Sequence, residues 1–395
     1  MTPSSQRVYA LAKPEVLRWA RTSAGLSIEA AAKKAQVKPE RIVQWETGQG
    51  RPTINQLRKL AVGYKRPLAV FFLAQPPKGF TPMRDFRKIP GTVAEPESPQ
   101  LRLEIRKADY RRDLALDLFE LLGEAPPAFS ARASLSEDPE AAASRARRLL
   151  AVTPDAPVAW RGSYDALNAW RLAVEQLGVL IFQARGVAVS EMRGFSIGET
   201  SLPAIVLNIK DSPRGRVFSM MHELVHLMLR QTGLCNFSED PSLPPEERRI
   251  EIFCNHVAGA ILAPRSQLLE HPLVRGARRP REWSDEELAT LARRFQISEE
   301  AMLRRLLILG RATERFYRAK RKEFLKTYAR LAEGSKNREG FAPPDKTAVA
   351  TAGPAFVRLV LEGYHTERIT ASDLSDFLEV KLKHLPKIEA AMAAR

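Results

Sequence analysis

The chain has 395 residues, of which 44% are hydrophobic and 27% are charged, so it can bury a core and fill roughly two or three domains. This composition disfavours a disordered or fibrous protein, and two cysteines are too few for a disulfide framework. No apolar run is long enough for a transmembrane helix or a secretory signal, which predicts a cytoplasmic protein that does not bind membranes. The formal net charge of +16 favours a polyanionic partner.

Residues 1–75 predict a domain of five short helices. Gly25 suits the end of the first helix, Ser27 the N-cap of the second and Pro39 the first turn of the third. The predicted helices are residues 14–24, 28–35, 39–46, 52–64 and 67–73. Thirteen lysines and arginines stand against four acidic residues here, so this fifth of the chain carries a net charge of +9.

Residues 76–100 contain six prolines, a density that predicts a linker or an extended arm. The pattern then changes, and residues 101–280 predict an α+β domain in which helices cover a small sheet. Its predicted strands are residues 178–183, 192–197 and 203–209, and its predicted helices are 101–122, 139–151, 163–177, 215–229 and 245–262.

Residues 281–395 predict a helical C-terminal region, so the whole chain is expected to be mainly α with a small β-sheet. Two of the predicted helices are residues 284–295 and 298–309, and residues 292–305 across their connection repeat the pattern of residues 32–45 at an offset of 260. The repeat indicates either a second helix-turn-helix or two helices that pack at a similar angle. We favour the second interpretation, because a tight helical hairpin is a common packing unit.

The motif His-Glu-Leu-Val-His, at residues 222–226, lies in an apolar run that predicts a helix. Residues four apart share a helix face, so His222 and His226 can point at one metal ion. Neutral imidazoles suit Zn²⁺, and another divalent ion such as Mn²⁺ is an alternative. Glu223 lies one residue round the helix, where a general base can take a proton from water.

A catalytic zinc site needs a third protein ligand, and the next predicted helix offers Glu246, Glu247, Glu251 and His256. Acidic residues such as Glu246 and Glu247 are expected at a helix start for dipole reasons alone. His256 lies roughly 140° round the helix from Glu251, so both cannot face one ion. Glu251 is favoured because it lies on an apolar stretch, where a carboxylate needs a cation. Asn255, one turn on, suits a supporting role.

This helix pair resembles the ImmA/IrrE family of metallo-endopeptidases. The resemblance rests on the motif HELVH, a gap of 24 residues, and the run EIFCNHVAGAILAP at residues 251–264, with Cys254 and Val257 as departures from the usual residues. It implies a gluzincin-like fold, a zinc ion held by His222, His226 and Glu251, and Glu223 as the catalytic base.

The run PAIVLN at residues 203–208 is similar to a strand of the same family. The resemblance suggests an edge strand whose residues Ala204, Ile205 and Val206 pair with an extended substrate. A buried core strand fits the same pattern equally well, and both interpretations stay open at this point.

The N-terminal region resembles the lambda-repressor-like, XRE-type helix-turn-helix, on residues 25–32, 37–48 and 51–53. Residues 65–77 and 85–87 resemble a subgroup that fuses this module to an ImmA/IrrE peptidase. The resemblance implies that the helix after Lys38 enters the DNA major groove.

Four residues are the candidate DNA contacts: Ser27, Lys38, Arg41 and Gln44. Lys38, Arg41 and Gln44 recur every three residues along one face, where they can contact base edges or phosphates. Ser27 begins the preceding helix at a position where DNA-binding members often carry Gln. Because that residue differs and Glu40 adds an acid to the same face, protein docking or dimerisation is the alternative use of this module.

Three functions follow. The first is a zinc endopeptidase that cleaves a regulatory protein, which by resemblance is a DNA-binding repressor or antitoxin. The second is a transcription regulator in which the peptidase fold acts as a sensor or partner-binding domain, and the third is an antitoxin. The intact motif at residues 222–226 together with Glu251 favours the first, since an inactive site has no need to keep its base. The basic N-terminal region favours regulation, and the two are compatible.

Overall fold

The computed structural model describes residues 9–64, 66, 68–77, 97–153, 155–230, 233–235, 244–277, 279–335 and 343–393. Most of the predicted linker, with residues 85–87, lies outside these ranges. The described residues form two compact units, an N-terminal unit that ends at residue 107 and a second unit from residue 108 onward. No helix in the described ranges combines the length and apolar character needed to cross a bilayer.

The N-terminal unit contains four α-helices and a 3-10 turn at Leu68–Phe72, in place of the fifth predicted helix. The helices are α1 (Pro14–Ser23), α2 (Ile28–Ala35), α3 (Pro39–Glu46) and α4 (Ile54–Tyr64). Their apolar faces meet in one core that includes Trp45, Tyr64 and Phe71. Arg21 of α1 donates to both carboxylate oxygens of Glu46 at 2.7 and 2.9 Å, which ties α1 to α3.

Helix α5 (Pro99–Leu122) runs across the division between the units. The second unit is mainly helical around a small sheet, as predicted. The elements up to residue 262 include all four strands. In chain order they are α6 (Pro139–Leu149), α7 (Ala156–Ala159), α8 (Ser163–Glu175), β1 (Leu180–Ala184), β2 (Gly194–Ile197), β3 (Ala204–Asn208), α9 (Pro213–Met228), β4 (Gly233–Cys235) and α10 (Pro245–Leu262).

The remaining elements are all helical: α11 (Arg265–Glu270), α12 (Pro272–Arg275), α13 (Asp285–Phe295), α14 (Glu299–Ile308), α15 (Glu314–Ser335), α16 (Pro344–Ala352), α17 (Pro354–His365), α18 (Ala371–Phe377), a 3-10 turn at Leu382–His384, and α19 (Leu385–Ala393). The fold class predicted from the sequence, mainly α with a small sheet, is confirmed.

The sheet has the strand order β1-β3-β2-β4, with β1 parallel to β3 and the other pairs antiparallel. Every residue of β1, β2 and β3 is buried, which explains why these strands read as apolar runs instead of alternating patterns. Strand β4 was not predicted, because three residues are too few to show a periodicity.

The expectation that residues 203–208 form an edge strand is wrong. Ala204, Ile205 and Val206 of β3 pair with residues 180–182 of β1 on one side and with residues 195–197 of β2 on the other. Because neighbouring strands take up the backbone groups on both sides, an extended substrate cannot add to β3. The alternative, a buried core strand, is the correct interpretation.

The outer edge of β1 is covered by the C-terminal helices. Gly353, between α16 and α17, has a φ of +85° and packs so closely on the carbonyl oxygen of Ile181 that a Cβ atom would collide with it. Arg171 Nη2 donates to the same oxygen at 2.7 Å. β1 is therefore blocked at this point, and β4 is the other edge of the sheet.

Helices α13 and α14 repeat the turn that joins α2 and α3. Gln36 and Gln296 both end their helix in the left-handed conformation, with φ of 57° and 55°. In α14, however, Arg304 stands at the place of Gln44, is 9% exposed and donates to the hydroxyl of Tyr317 at 3.0 Å. The face that would contact DNA is used for packing, which supports the interpretation as a packed hairpin.

Candidate metal centre

Helix α9 carries the H-E-x-x-H motif through the middle of the second unit. The Ser212 hydroxyl accepts from Gly215 N at 3.0 Å, and Pro213 occupies the first turn, where it loses no hydrogen bond. Residues 219–228 are all buried, because α8, α10 and the sheet surround this helix. A helix that is buried on all sides holds its polar side chains in fixed positions.

Helix α10 packs against α9 and brings Glu251 to the two histidines. The Nε2 atoms of His222 and His226 lie 3.0 Å apart. The Glu251 carboxylate oxygens lie 3.3 Å from Nε2 of His222 and 3.2 Å from Nε2 of His226. Within the described part of the chain, this is the one group of three potential metal ligands, and Glu246, Glu247 and His256 are not in it.

The spacing of these atoms fits a divalent cation. Ligand atoms about 2.0–2.1 Å from a tetrahedral zinc lie about 3.3 Å from one another, close to the three separations here. Two imidazole nitrogens and a carboxylate that face a common point, each at most 2% exposed, need a positive charge between them. The donor set of two imidazoles and one carboxylate suits Zn²⁺ better than Mn²⁺, which prefers a larger share of oxygen ligands.

The protonation states also suit metal binding. Burial lowers the pKa of His222, which keeps its imidazole neutral. Burial opposes ionisation of Glu251, but its interactions with the side chains of His222 and His226 outweigh this effect and hold the pKa of that carboxyl below its ordinary value. Neutral imidazole and ionised carboxylate are the forms that bind metals.

Asn255 orients His222, as its position one turn beyond Glu251 predicted. Its side-chain oxygen lies 3.1 Å from Nδ1 of His222 and can only accept, so Nδ1 carries the proton. The lone pair of Nε2 then faces Glu251 and His226. Next to Asn255, burial raises the pKa of the Cys254 thiol, which is free and stays protonated.

Glu223 is completely buried on α9, beside the two histidines. Gly194 at the start of β2 packs against it: a Cβ atom there would lie 3.3 Å from Cγ and 3.4 Å from Oε1 of Glu223. Sequence reasoning missed this contact, although a glycine inside a predicted strand is a signal for close approach. Gly194 limits where the Glu223 carboxylate can lie.

His256 belongs to a second polar cluster. Its Nε2 lies 2.9 Å from Oε1 of Glu140, and Arg305 Nη2 donates to Oε2 of the same carboxylate at 2.7 Å. Burial opposes ionisation of Glu140, but Arg305 and His256 lower its pKa to about 2. The partners are up to 165 residues apart, so no sequence spacing could have revealed this cluster.

The candidate DNA contacts lie on exposed parts of the N-terminal unit. Lys38, the N-cap residue of α3, and Arg41 on α3 are exposed and Gln44 is half-buried, whereas Ile42 and Trp45 face the core. Arg41 Nη1 donates to Oε1 of Gln44 at 3.0 Å. The Ser27 hydroxyl is also exposed, but it accepts from Ala30 N at 3.1 Å and caps α2. Its position is therefore explained by capping, whether or not it also contacts DNA.

Two protein-family models match the chain. Residues 174–307 match the peptidase M78 model, described as an IrrE N-terminal-like domain, and this range contains α9, α10 and the whole candidate metal centre. Residues 17–71 match a helix-turn-helix model, which covers most of the N-terminal unit. No curated protein matches the chain. The chain therefore joins an N-terminal helix-turn-helix domain to an IrrE N-terminal-like domain of the peptidase M78 family, in agreement with its resemblance to ImmA/IrrE proteins.

Proposed function

We propose that this protein is a metal-dependent endopeptidase that cleaves a DNA-binding regulatory protein of the repressor or antitoxin type. The observation that carries the proposal is the convergence of His222, His226 and Glu251, with Glu223 beside them on the same helix as the histidines. The match of residues 174–307 to a peptidase family supports it.

In this proposal, His222, His226 and Glu251 hold the metal ion. A Zn²⁺ ion bound there would polarise a peptide carbonyl and make a nearby water more acidic. Glu223 accepts the proton of the attacking water and passes it to the amine of the leaving peptide. Asn255 holds the His222 ring in the tautomer that ligation requires.

The sheet offers one edge for an extended substrate. β2 touches Glu223 through Gly194, and β4 lies directly outside β2, with Gly194 opposite Cys235. In the described ranges no further strand pairs with β4. We therefore place the substrate backbone against β4, by strand addition. Because the ligands and Glu223 are at most 2% exposed, substrate entry requires a change from this conformation.

That enclosure also favours a second candidate function, a DNA-binding regulator whose peptidase fold acts as a sensor. A site closed to solvent can report metal occupancy without admitting a peptide. In this alternative, the metal ion would change DNA binding, and Glu223 would have no role in it.

We also propose that the helix-turn-helix domain binds DNA through α3. The exposed Lys38 and Arg41 and the net charge of +9 over residues 1–75 support this. Docking of a protein partner or dimerisation is the competing use of the same surface.

The test compares cells that express the natural protein with cells that express Glu223→Gln, and maps the new protein N-termini by mass spectrometry. The amide cannot accept the proton, so the proposal expects N-termini that appear with the natural protein and are lost in Glu223→Gln, while purified samples of both retain metal. The control is Glu246→Gln, the same change at an exposed position of α10, and the protein that carries it should cleave normally. Equal cleavage by a metal-loaded Glu223→Gln protein would refute the mechanism. No cleavage by either protein, together with DNA binding that depends on metal, would favour the sensor.

A further inference from the structure

A cavity of about 850 Å³ lies in the second unit, between α6, the turn that follows it, the end of α10 and α11. Its volume is within the range of pockets that hold small organic molecules. Its apolar wall is built by side chains from all four segments: Ala143, Val152, Ala260, Pro264 and Leu269. None of the proposed metal ligands, nor Glu223, lines it.

Three arginines line the same cavity. Arg147 is buried, and its guanidinium donates to the carbonyl oxygens of Ile261 and of Thr153, the latter at 3.1 Å. Burial and the charge of Arg294 lower the pKa of Arg147 to about 10, so it is still cationic at neutral pH. Arg148 and Arg265 are exposed. None of the three forms an ion pair with a carboxylate in the described part of the chain.

The acids of the cavity do not balance these charges. Glu140 is engaged by Arg305 and His256, which lie outside the lining. Asp138 accepts from Ala141 N at 3.2 Å and caps α6, and it is then the one lining acid to set against three arginines. The cavity therefore combines an apolar wall with an excess of positive charge, and its guanidinium groups can form charge-assisted hydrogen bonds with a bound anion.

We propose that this cavity binds an amphipathic organic anion, a molecule of small size with a carboxylate or phosphate group on an apolar body. The apolar part lies against Ala143, Ala260 and Leu269, and the anionic group is held by Arg148 and Arg265. This binding does not depend on peptidase activity, so the two proposals fail independently.

The test uses fluorescence titration of the full-length protein with two matched probes. 1-Anilinonaphthalene-8-sulfonate carries the anionic group, and N-phenyl-1-naphthylamine has the same aromatic body without it. We expect one sulfonate probe per chain, bound at least tenfold more tightly than the uncharged probe. Sodium decanoate and decyl phosphate should displace it, and their relative potency identifies which anionic group the site prefers.

Variants locate the binding. The double change Arg148→Gln with Arg265→Gln should weaken binding of the sulfonate probe at least tenfold and leave that of the uncharged probe unchanged. Ser144→Trp, at an exposed lining residue, should reduce both by filling the cavity. Arg248→Gln removes the same charge from an exposed position of α10 outside the cavity and should change nothing. Equal affinity for the two probes, or full sulfonate binding by a folded double variant, would overturn the proposal.

Discussion

At the scale of single residues, Glu251 is the one proposed ligand that α10 brings to the two imidazoles of α9. We expect Glu251→Ala to lose most of its bound zinc, since the two remaining imidazoles hold the ion poorly. Metal per chain after dialysis, measured by mass spectrometry, checks this. Glu246→Ala on the same helix should keep a full complement. Full occupancy in Glu251→Ala would show that another residue completes the site.

Gly194 allows a second residue-scale prediction. In Gly194→Ala the new methyl group presses on Glu223 and on the carbonyl oxygen of Val206, both 3.3 Å from the Cβ position. Metal content should stay normal, because the ligands are not touched, whereas displacement of the base should lower kcat by about tenfold or more. Gly162→Ala, whose Cβ meets nothing within 4 Å, is the matched control. Unchanged turnover in Gly194→Ala would mean that Glu223 tolerates the shift or takes no part.

At the scale of elements, the contact between β1 and the C-terminal helices requires a glycine at position 353. Gly353→Ala places a methyl group against the Ile181 carbonyl oxygen, at a φ that side chains rarely adopt. We expect a loss of about 3 kcal/mol in the free energy of unfolding, from backbone strain plus the collision. Urea denaturation measures it.

Gly310→Ala separates the two causes, because Gly310 also has a positive φ, +67°, but nothing lies within 4 Å of its Cβ position. It should cost about 1–2 kcal/mol, the price of the left-handed conformation alone. Equal losses in the two variants would contradict the close packing described for Gly353.

The cluster of Glu140, His256 and Arg305 joins α6, α10 and α14 and makes stability depend on pH. The pKa of Glu140 is lowered from 4.5 to about 2. The ionised Glu140 carboxylate therefore contributes its full stabilisation above pH 4.5, and this contribution is lost as the pH falls towards 2. Glu140→Gln should be less stable at pH 6 and should lose less stability on acidification. Urea denaturation at pH 6, 4.5 and 3 tests this, with the exposed Glu286→Gln as control. A pH profile parallel to that of the natural protein would contradict the prediction.

At the scale of the whole molecule, DNA binding is expected to come from the basic N-terminal unit. Affinity of the full-length protein for DNA from its own promoter should fall steeply with salt, because each neutralised phosphate releases counterions. Lys38→Ala and Arg41→Ala should each weaken binding, by about 1–3 kcal/mol where the contact is to a base.

Arg18→Ala is the control for charge, since Arg18 is exposed on α1 and not on α3. A salt titration by fluorescence anisotropy measures all three variants. If no binding occurs at low salt, where non-specific attraction is strongest, the helix-turn-helix is a docking or dimerisation module.

The sequence by itself determined the fold class, most of the longer helices and the identity of the candidate ligands. Helix periodicity and capping residues act over a few positions, so the helices that were predicted individually mostly end within one or two residues of the predicted positions, including Pro245 and Leu262 of α10. His222, Glu223 and His226 share one helical turn, and an apolar neighbourhood distinguished Glu251 from Glu246 and Glu247. These signals involve residues that are close together in the sequence, so they can be recognised without the structure.

Only the tertiary structure decided which strand forms the edge of the sheet, because pairing joins segments that the sequence keeps apart. An apolar run such as residues 203–208 looks the same in a core strand and in a covered edge strand, so the central place of β3 was not predictable. The same reason applies to Gly194 against Glu223, to Gly353 against β1 and to Arg305 with Glu140. In each of these contacts the partners come from different elements, and their meeting depends on how the elements pack.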